Sequence, residues 1–509
     1  MSASKKNSAS SSFYDKAVRY VFDTDAVGDR SSEDIYLLGL KHAGFRESES
    51  SSDNTQGAQT QWPPEFLSHF RTIIWCTYRV NLTSKIQDGT RQFSGDAGWG
   101  CMIRTAQSLL ANTLLVAHVG REWRRAPSTQ ARSSFFFSSA SDTHRRDTSS
   151  TSASSEGTAE RMKQMTYVRL ISWFMDSPDA PFGIHRLCLA GRDLGTPVGT
   201  WFGPAVAANA IKTLVQAFPT CGLGVSLAVD GGLYESTVFE ASHSVYAQSS
   251  ASWGDRPVLL LLGLRLGLDN VNPIYYSTIK ELFTFPQSVG ISGGRPSSSY
   301  YFLGVQGDGL IYLDPHHPRP ALVLRPPLNI ARNGDLAPTE LEIHAASYSP
   351  SEFDSYHCEK VRKMPISGLD PSMLLGFLVR SEEDWKDFRC RVLALPRTIF
   401  SIANEPPSWP SVDLDDDDDL LAVESLSSSS SEDLSSRDLA PRAVSSALGL
   451  ETNMELNAAY EQTPSHANSQ DLAQAGGKGR GRLSFSVEGL RSKLRTFGRS
   501  RSSERGLDS

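Results

Sequence analysis

A cysteine at the start of an apolar helical segment is the feature that most constrains this sequence. The tripeptide Gly98-Trp99-Gly100 leads into Cys101, and apolar residues then recur at helical spacing as far as Leu115. A cysteine at a helix N-terminus faces unpaired backbone N–H groups and the positive end of the helix dipole, which both favour the thiolate. Asp96 stands where a helix-start acid is typical. The segment therefore predicts a helix from Cys101, with either a reactive thiolate or a buried structural thiol at its start.

The remaining apolar patterns predict a mixed α+β or α/β domain, because strand-like and helix-like segments alternate. Strands are predicted at Asp34–Gly39, Leu223–Val229, Pro257–Gly263 and Leu369–Val379, and as a hairpin at Ser299–Val305 and Leu310–Leu313. Helices are predicted at Phe66–Ile74, Val168–Phe174, Ala205–Phe218, Ile279–Phe283 and Glu382–Leu393. The segment Gly231–Trp253 is predicted to be a loop insertion.

Serine-rich segments divide the 509 residues into a folded part and low-complexity parts. Residues 1–33 form a polar N-terminal leader, and residues 34–395 are predicted to form the folded domain. Within that domain, residues 47–61 and 126–158 are predicted to be disordered insertions. Residues 404–509 are predicted to be a disordered tail that is acidic first and basic at its end.

Composition excludes several classes of protein. The six cysteines show no C-x-x-C pair and no zinc-type spacing with histidine, so we expect free thiols in a reducing compartment, with no metal and no cofactor. The net charge of −7 argues against nucleic-acid binding. The polar start of the chain shows no secretory signal, and no apolar run is long enough to span a bilayer, which together predict a cytoplasmic protein.

A thiolate nucleophile needs a base and a group that orients the base. His316 follows Asp314 by two residues at a strand end, a spacing that places both side chains on one side of a strand. The Asp-Pro-His sequence is equally typical of a simple turn, and His317 remains a weaker alternative. Tyr78 is either a donor to an oxyanion or a half-buried strand tyrosine, and Trp201 is either core packing or an indole that covers a cleft.

Several segments together resemble the autophagins, the papain-like cysteine peptidases of autophagy that process a ubiquitin-like modifier. The resemblance spans about Ile35 to Leu395 with insertions, and its segments occur in the family's order. They are Trp75–Arg79, Asp96–Arg104, Gly199–Pro204, Gly293–Pro296, Tyr300–Gly304 and Tyr312–His316.

The resemblance implies a papain-like α+β peptidase core with a small extra domain, and it assigns roles to individual residues. Cys101 would be the nucleophile, His316 the general base and acid, and Asp314 the orienting carboxylate. Tyr78 would support the oxyanion hole. The residues that would clamp the substrate tail are Trp201, Arg295, Pro296 and Ser297.

The implied activity is cleavage after the C-terminal glycine of the modifier, both to trim its precursor and to release it from phosphatidylethanolamine. The implied partner is therefore the free or lipid-conjugated modifier, with transient contact at autophagosomal or pre-autophagosomal membranes and no nucleic acid. The alternative is a catalytically idle scaffold of the same fold that only binds the modifier.

Overall fold

The computed structural model describes residues 31–46, 62–125, 151–244, 252–295, 298–325, 340, 343–345 and 347–407. The helices are α1 Pro64–Thr72, α2 Cys101–His118, α3 Thr151–Ser172, α4 Ile184–Asp193, α5 Pro204–Ala217, α6 Glu235–Ser242, α7 Tyr276–Leu282, α8 Pro350–Asp354 and α9 Glu382–Leu393. The strands are β1 Ile35–Leu37, β2 Leu40–His42, β3 Arg79–Val80, β4 Ile86–Asp88, β5 Arg91–Phe93, β6 Gly224–Leu227, β7 Gly232–Tyr234, β8 Val258–Arg265, β9 Ser288–Arg295, β10 Ser298–Gln306, β11 Gly309–Leu313, β12 Arg319–Pro320, β13 Arg362–Pro365, β14 Ser372–Val379 and β15 Ser401–Ala403.

A nine-stranded mixed sheet of the described residues organises the fold. Its main order is β13-β11-β10-β9-β14-β8-β6; in addition, β1 pairs with β10, and β2 pairs with β1. The pair β6 and β8 is parallel, whereas the other neighbouring strands of this sheet are antiparallel. These features confirm a mixed α+β fold of the papain-like type.

Strand β14 is central because both of its faces are covered. All eight of its residues are buried. Leu374 and Leu378 pack into the core that contains α2, whereas Leu375 and Phe377 pack into the core that contains α9. A strand buried on both faces is expected to be a continuous apolar run, which is how this segment appears in the sequence.

Helix α2 lies against the sheet on one side and helices on the other, so every residue from Cys101 to Val116 is buried. The side chains of Asn112 and Ser108 also connect this helix to the segment before β3 through hydrogen bonds. The Asn112 side chain pairs with both backbone groups of Ile74, and the Ser108 hydroxyl accepts from the Cys76 N–H at 2.9 Å. This helix therefore holds Cys101 on a rigid element.

The structure corrects the predicted loop at Gly231–Trp253, because β7 and α6 occupy its first half. Leu233, Val238 and Phe239 are buried there, so a short strand and a short helix gain stability from tertiary packing that the local pattern did not show. Strand β15 pairs in parallel with β7, so ordered pairing extends past the predicted domain end at residue 395.

Helix α3 begins at Thr151, inside the insertion predicted as disordered at 126–158. Its first half is polar and exposed where its side chains are described, whereas its second half packs into the core, so the buried half supports the exposed turns. The rest of that insertion, residues 126–150, lies outside the described residues, as do 1–30 of the leader, 47–61 and 408–509. No helix in the described ranges combines the length and apolarity that crossing a bilayer requires.

Candidate active site

Cys101 is the first residue of α2, as the sequence predicts, and its side chain is fully buried. The turn before it requires glycine twice. Gly98 has φ of 94°, a left-handed conformation that side chains disfavour, and a Cβ on Gly100 would lie 2.4 Å from the Asp96 carboxylate. The backbone therefore bends tightly enough to bring the thiol to the helix N-terminus.

Asp314 and His316 form the second part of the site. The Nδ1 of His316 lies 2.6 Å from Oδ1 of Asp314, and the His316 backbone N–H donates to the same oxygen at 2.9 Å. His317 lies farther away, with Nε2 at 3.6 Å from the other carboxylate oxygen and its ring against the edge of Trp75. The carboxylate thus orients the His316 ring, which leaves Nε2 of that ring for another partner.

That partner is Cys101, because the thiol and the imidazole lie close enough for each to shift the pKa of the other. Burial alone would raise the pKa of Cys101, but the hydrogen bond and charge of His316, with hydrogen bonds from the Ser299 backbone and Tyr78, lower it overall. Burial alone would lower the pKa of His316, but Asp314 and Cys101 raise it to about 9. These directions favour a thiolate–imidazolium pair.

The other thiols differ in their surroundings. Burial raises the pKa of Cys76 and of Cys221 to about 11, and it also raises the pKa of Cys188 and of Cys358. These four cysteines are free and buried, as Cys101 is. The lowered pKa at Cys101 therefore comes from its specific partners and not from its burial.

Parallel pairing between β3 and β12 holds the histidine segment against the chain before the Cys101 turn. Tyr78 donates its N–H to the Pro315 carbonyl at 2.9 Å and accepts from the Arg319 N–H at 2.9 Å, and Trp75 Nε1 donates to the Asp314 carbonyl at 2.9 Å. The predicted site residues Tyr78, Asp314 and His316 are thus brought together by backbone hydrogen bonds.

Two tyrosine rings enclose the His316 imidazole. The ring of Tyr78 lies at 5.3 Å between centroids and that of Tyr300 at 5.6 Å, both edge-on. The Tyr78 side chain also lies close enough to Cys101 for the two groups to shift each other's pKa. Tyr300 lies in one of the segments that resemble the family, but the sequence assigned it no role. Its ring reaches His316 because β10 pairs with β11, the strand that leads to Asp314.

The hairpin of β9 and β10 stands over Cys101. The Ser299 backbone N–H is close enough to the thiol to lower its pKa, and the Ser299 hydroxyl lies 3.1 Å from that of Thr105, one turn into α2. Arg295 ends β9, so its backbone lies at the tip of this hairpin. Pro296 and Ser297, two of the predicted substrate-binding residues, lie outside the described residues.

Trp201 is half-buried against the core that contains α2. Its loop approaches the site through aromatic contacts, because a Cβ on Gly199 would lie 2.3 Å from the Phe93 ring, and that ring packs edge-on against Trp99 at 5.6 Å. Gly199 also has φ of 87°. The loop that carries Trp201 is therefore next to the turn that carries Trp99 and Cys101.

A buried ion network lies beneath the site and corrects the role expected for Asp96. Asp96 does not cap α2 with its side chain. It accepts from the Arg79 N–H at 2.7 Å and from Arg104 Nε at 2.8 Å. Arg104 also reaches Asp176 at 3.1 Å, and Asp176 accepts from the Leu322 N–H at 2.9 Å. Two arginines and two aspartates thus connect the cysteine turn to the segment that follows His316.

The described residues contain no cluster of three or more His, Cys, Asp or Glu side chains that could hold a metal ion. A polarised thiol, an oriented imidazole and a nearby hydroxyl are the groups that nucleophilic acyl transfer requires.

Comparison with known proteins gives the family. The sequence model of the peptidase C54 catalytic domain matches residues 63–391. A "Cysteine protease ATG4" from Cryptococcus neoformans is 32% identical over 74% of this chain, although the match covers 46% of that protein. A "Probable cysteine protease atg4" from Aspergillus clavatus is 34% identical, with 76% of this chain and 92% of that protein covered. One from Pichia angusta is 38% identical over 72% of this chain and 70% of its own length. The chain therefore belongs to the peptidase C54 family, the autophagin cysteine peptidases of autophagy.

Proposed function

We propose that this cysteine peptidase cleaves after the C-terminal glycine of a ubiquitin-like autophagy modifier. It would act on two substrates, the modifier precursor and the modifier conjugated to phosphatidylethanolamine. The observation that carries the proposal is the chain of contacts from the Cys101 thiol to His316 and from His316 to Asp314. These three residues would act as a catalytic triad.

Both substrates present the same bond to the triad, an amide at the glycine carbonyl. The Cys101 thiolate attacks that carbonyl, and the Cys101 backbone N–H and the Tyr78 hydroxyl donate to the developing oxyanion. His316 then gives its proton to the leaving nitrogen, which belongs to a peptide in the precursor and to ethanolamine in the conjugate. His316 next takes a proton from water, which attacks the thioester and releases the modifier with a free carboxylate.

The crowding around Cys101 supports selection for glycine before the cleaved bond. The thiol is fully buried and the β9–β10 hairpin lies next to it, so we propose that the substrate tail reaches it through a narrow path between this hairpin and the Trp201 loop. A side chain on the last residue of the modifier would clash there, whereas glycine has none. Trp201, Arg295, Pro296 and Ser297 are proposed to bind this tail.

The proposed setting follows from the substrates. The enzyme would meet the precursor in the cytoplasm and the conjugate during transient contact with autophagosomal or pre-autophagosomal membranes. The proposed mechanism requires no metal and no cofactor, because the thiolate, the imidazole and the carboxylate supply the whole reaction.

The test incubates the full chain with a modifier precursor that carries residues beyond its terminal glycine, and separately with the modifier conjugated to phosphatidylethanolamine in vesicles. We expect the wild type to release the mature modifier in both cases, and Cys101→Ala and a precursor with alanine in place of that glycine to give no product. Cys390→Ala, which alters an exposed thiol, is the matched control and should retain activity. Binding of the modifier without cleavage by the wild type would favour the idle scaffold.

A further inference from the structure

A depression of about 660 Å³ lies far from Cys101, at the other end of α2. It is lined by residues 119–124, which follow this helix, by Glu160 and Lys163 of α3, and by Arg380, which lies two residues before α9. An 18-residue helix is roughly 27 Å long, so the depression and the thiol are separate places on the molecule. The charged groups in its wall are Arg121, Glu122, Arg124, Glu160, Lys163 and Arg380.

The two acidic groups in the wall are already engaged by neighbouring cations. Glu160 lies 3.9 Å from the Lys163 ammonium and accepts from Trp123 Nε1 at 2.7 Å. Glu122 lies 3.9 Å from the Arg124 guanidinium. Two arginines therefore remain in the wall without an acidic partner of their own.

Those two, Arg121 and Arg380, form no ion pair with any carboxylate in the described part of the chain. Arg121 donates to the carbonyls of Leu38 and Ser288, the latter at 3.0 Å, and Arg380 donates to the Val116 carbonyl at 2.7 Å. These backbone contacts fix both guanidinium groups without neutralising them. The carbonyls at the end of α2 carry only about half a negative charge, less than the two full positive charges beside them.

The surrounding electrostatics are consistent with an excess of positive charge. Burial, and then the charge of Arg380, lower the pKa of Arg121 to about 10, although Asp384 opposes this effect. Asp384 accepts from the Arg380 backbone N–H at 2.9 Å and from Gln287 Nε2 at 2.6 Å, and it keeps its charge because both donors are neutral. It therefore offsets one of the two unpaired arginine charges, and the wall retains a net positive charge. Burial, and then the charge of Arg124, lower the pKa of the nearby His69.

We propose that this depression binds a phosphate group, held by the Arg121 and Arg380 guanidiniums and flanked by Lys163. A phosphate monoester carries close to two negative charges at neutral pH and several acceptor oxygens, which match two fixed guanidinium groups. The size of the depression leaves room for a molecule attached to the phosphate. The group belongs either to a free anion or to a lipid headgroup, and the test separates these sources.

The first arm titrates inorganic phosphate into the full chain by isothermal titration calorimetry, with ionic strength held constant by sodium chloride. We expect saturable binding by the wild type. Arg380→Gln removes one charged donor and should weaken binding about tenfold or more. Lys163→Glu reverses a half-exposed charge at the rim and should weaken it as well. Lys212→Gln removes the same charge outside the depression and should bind as the wild type does.

The second arm measures co-sedimentation with phosphatidylcholine vesicles that contain phosphatidic acid. If vesicle binding depends on Arg380 and Lys163 while free phosphate gives no heat of binding, the phosphate group belongs to a lipid headgroup. If free phosphate binds and the vesicles do not, it belongs to a soluble anion. The proposal would be overturned if the wild type bound neither free phosphate nor the vesicles. It would also be overturned if a correctly folded Arg380→Gln bound as well as the wild type does. Should Arg380→Gln fail to fold by circular dichroism, Lys163→Glu decides by the same comparison.

Discussion

Oδ1 of Asp314 accepts two hydrogen bonds from one residue, from the backbone N–H of His316 at 2.9 Å and from its Nδ1 at 2.6 Å. The backbone contact fixes the turn and the ring contact fixes the imidazole, so a single oxygen determines where the proton carrier lies. The same carboxylate stabilises the charged imidazole, and its own pKa is lowered to about 2 by His316 despite the opposing effect of burial.

The first prediction concerns the alkaline limb of the pH profile. The pKa of His316 is raised to about 9, so the imidazolium persists up to that pH and is lost as the pH rises through it. Asp314→Asn removes the charge that helps to raise this pKa, so the limb of kcat/KM should move to lower pH and kcat should fall by a factor on the order of 10²–10⁴. Asp308→Asn, which removes an exposed carboxylate at the opposite end of β11 from Asp314, should leave the profile unchanged. An alkaline limb in the same place in both variants would contradict this account.

The second prediction concerns alkylation of Cys101. Because the pKa of its thiol is lowered, Cys101 should keep reacting with iodoacetamide at a pH where an ordinary thiol has become unreactive. Mass spectrometry of peptides after timed labelling between pH 5 and 9 measures each cysteine separately. His316→Ala should return the pH dependence of Cys101 to that of an ordinary thiol. Identical profiles for Cys101 and the exposed Cys390 in the wild type would count against the ion pair.

The third prediction concerns Tyr78. Its hydroxyl is buried beside Cys101, where it can donate to an oxyanion that exists only during the reaction. Tyr78→Phe should therefore reduce kcat about 10²- to 10³-fold and change KM little, because one donor to the oxyanion is lost. Steady-state cleavage of the precursor measures both constants. A rise in KM with kcat unchanged would instead assign the hydroxyl to substrate binding.

The fourth prediction concerns the buried network. Asp176→Asn leaves the Arg104 and Arg79 guanidiniums short of one negative charge in a fully buried place, and removing one partner of such a pair costs about 3–5 kcal/mol of unfolding free energy. Urea unfolding followed by circular dichroism measures the change. Asp193→Asn, which alters an exposed ion pair with Arg192, should cost less than about 1 kcal/mol. Equal costs for the two variants would argue that the network adds no stability.

Sequence patterns predicted the elements whose signal is local. The helix at Cys101 and the hairpin before Asp314 carry their periodicity or turn residues in the segment itself, and the structure confirms both. Strand β9 was not predicted, because its glycines lower strand propensity. Gly293 is needed where a Cβ would lie 2.8 Å from the backbone of Met373 on β14, a contact that only the folded sheet creates.

The site residues also divide into those that the sequence identified and those whose roles depend on tertiary contacts. Cys101, Asp314 and His316 were found because their segments resemble a known family, and the structure places them in contact. Asp96 was read as a helix-start acid, since its partners Arg79 and Arg104 are 17 and 8 residues away and ion pairing over such separations leaves no local pattern. The ring of Tyr300 against His316 likewise depends on strand pairing.

The most direct test of the central claim uses a modifier whose terminal glycine carboxyl is replaced by a thiol-reactive vinyl methyl ester. We predict one covalent adduct per chain, attached to Cys101, formed by the wild type and abolished by Cys101→Ala. Labelling should remain complete in Cys390→Ala. An adduct on another cysteine, or none while the modifier still binds, would contradict the assignment of Cys101 as the nucleophile that attacks the terminal glycine.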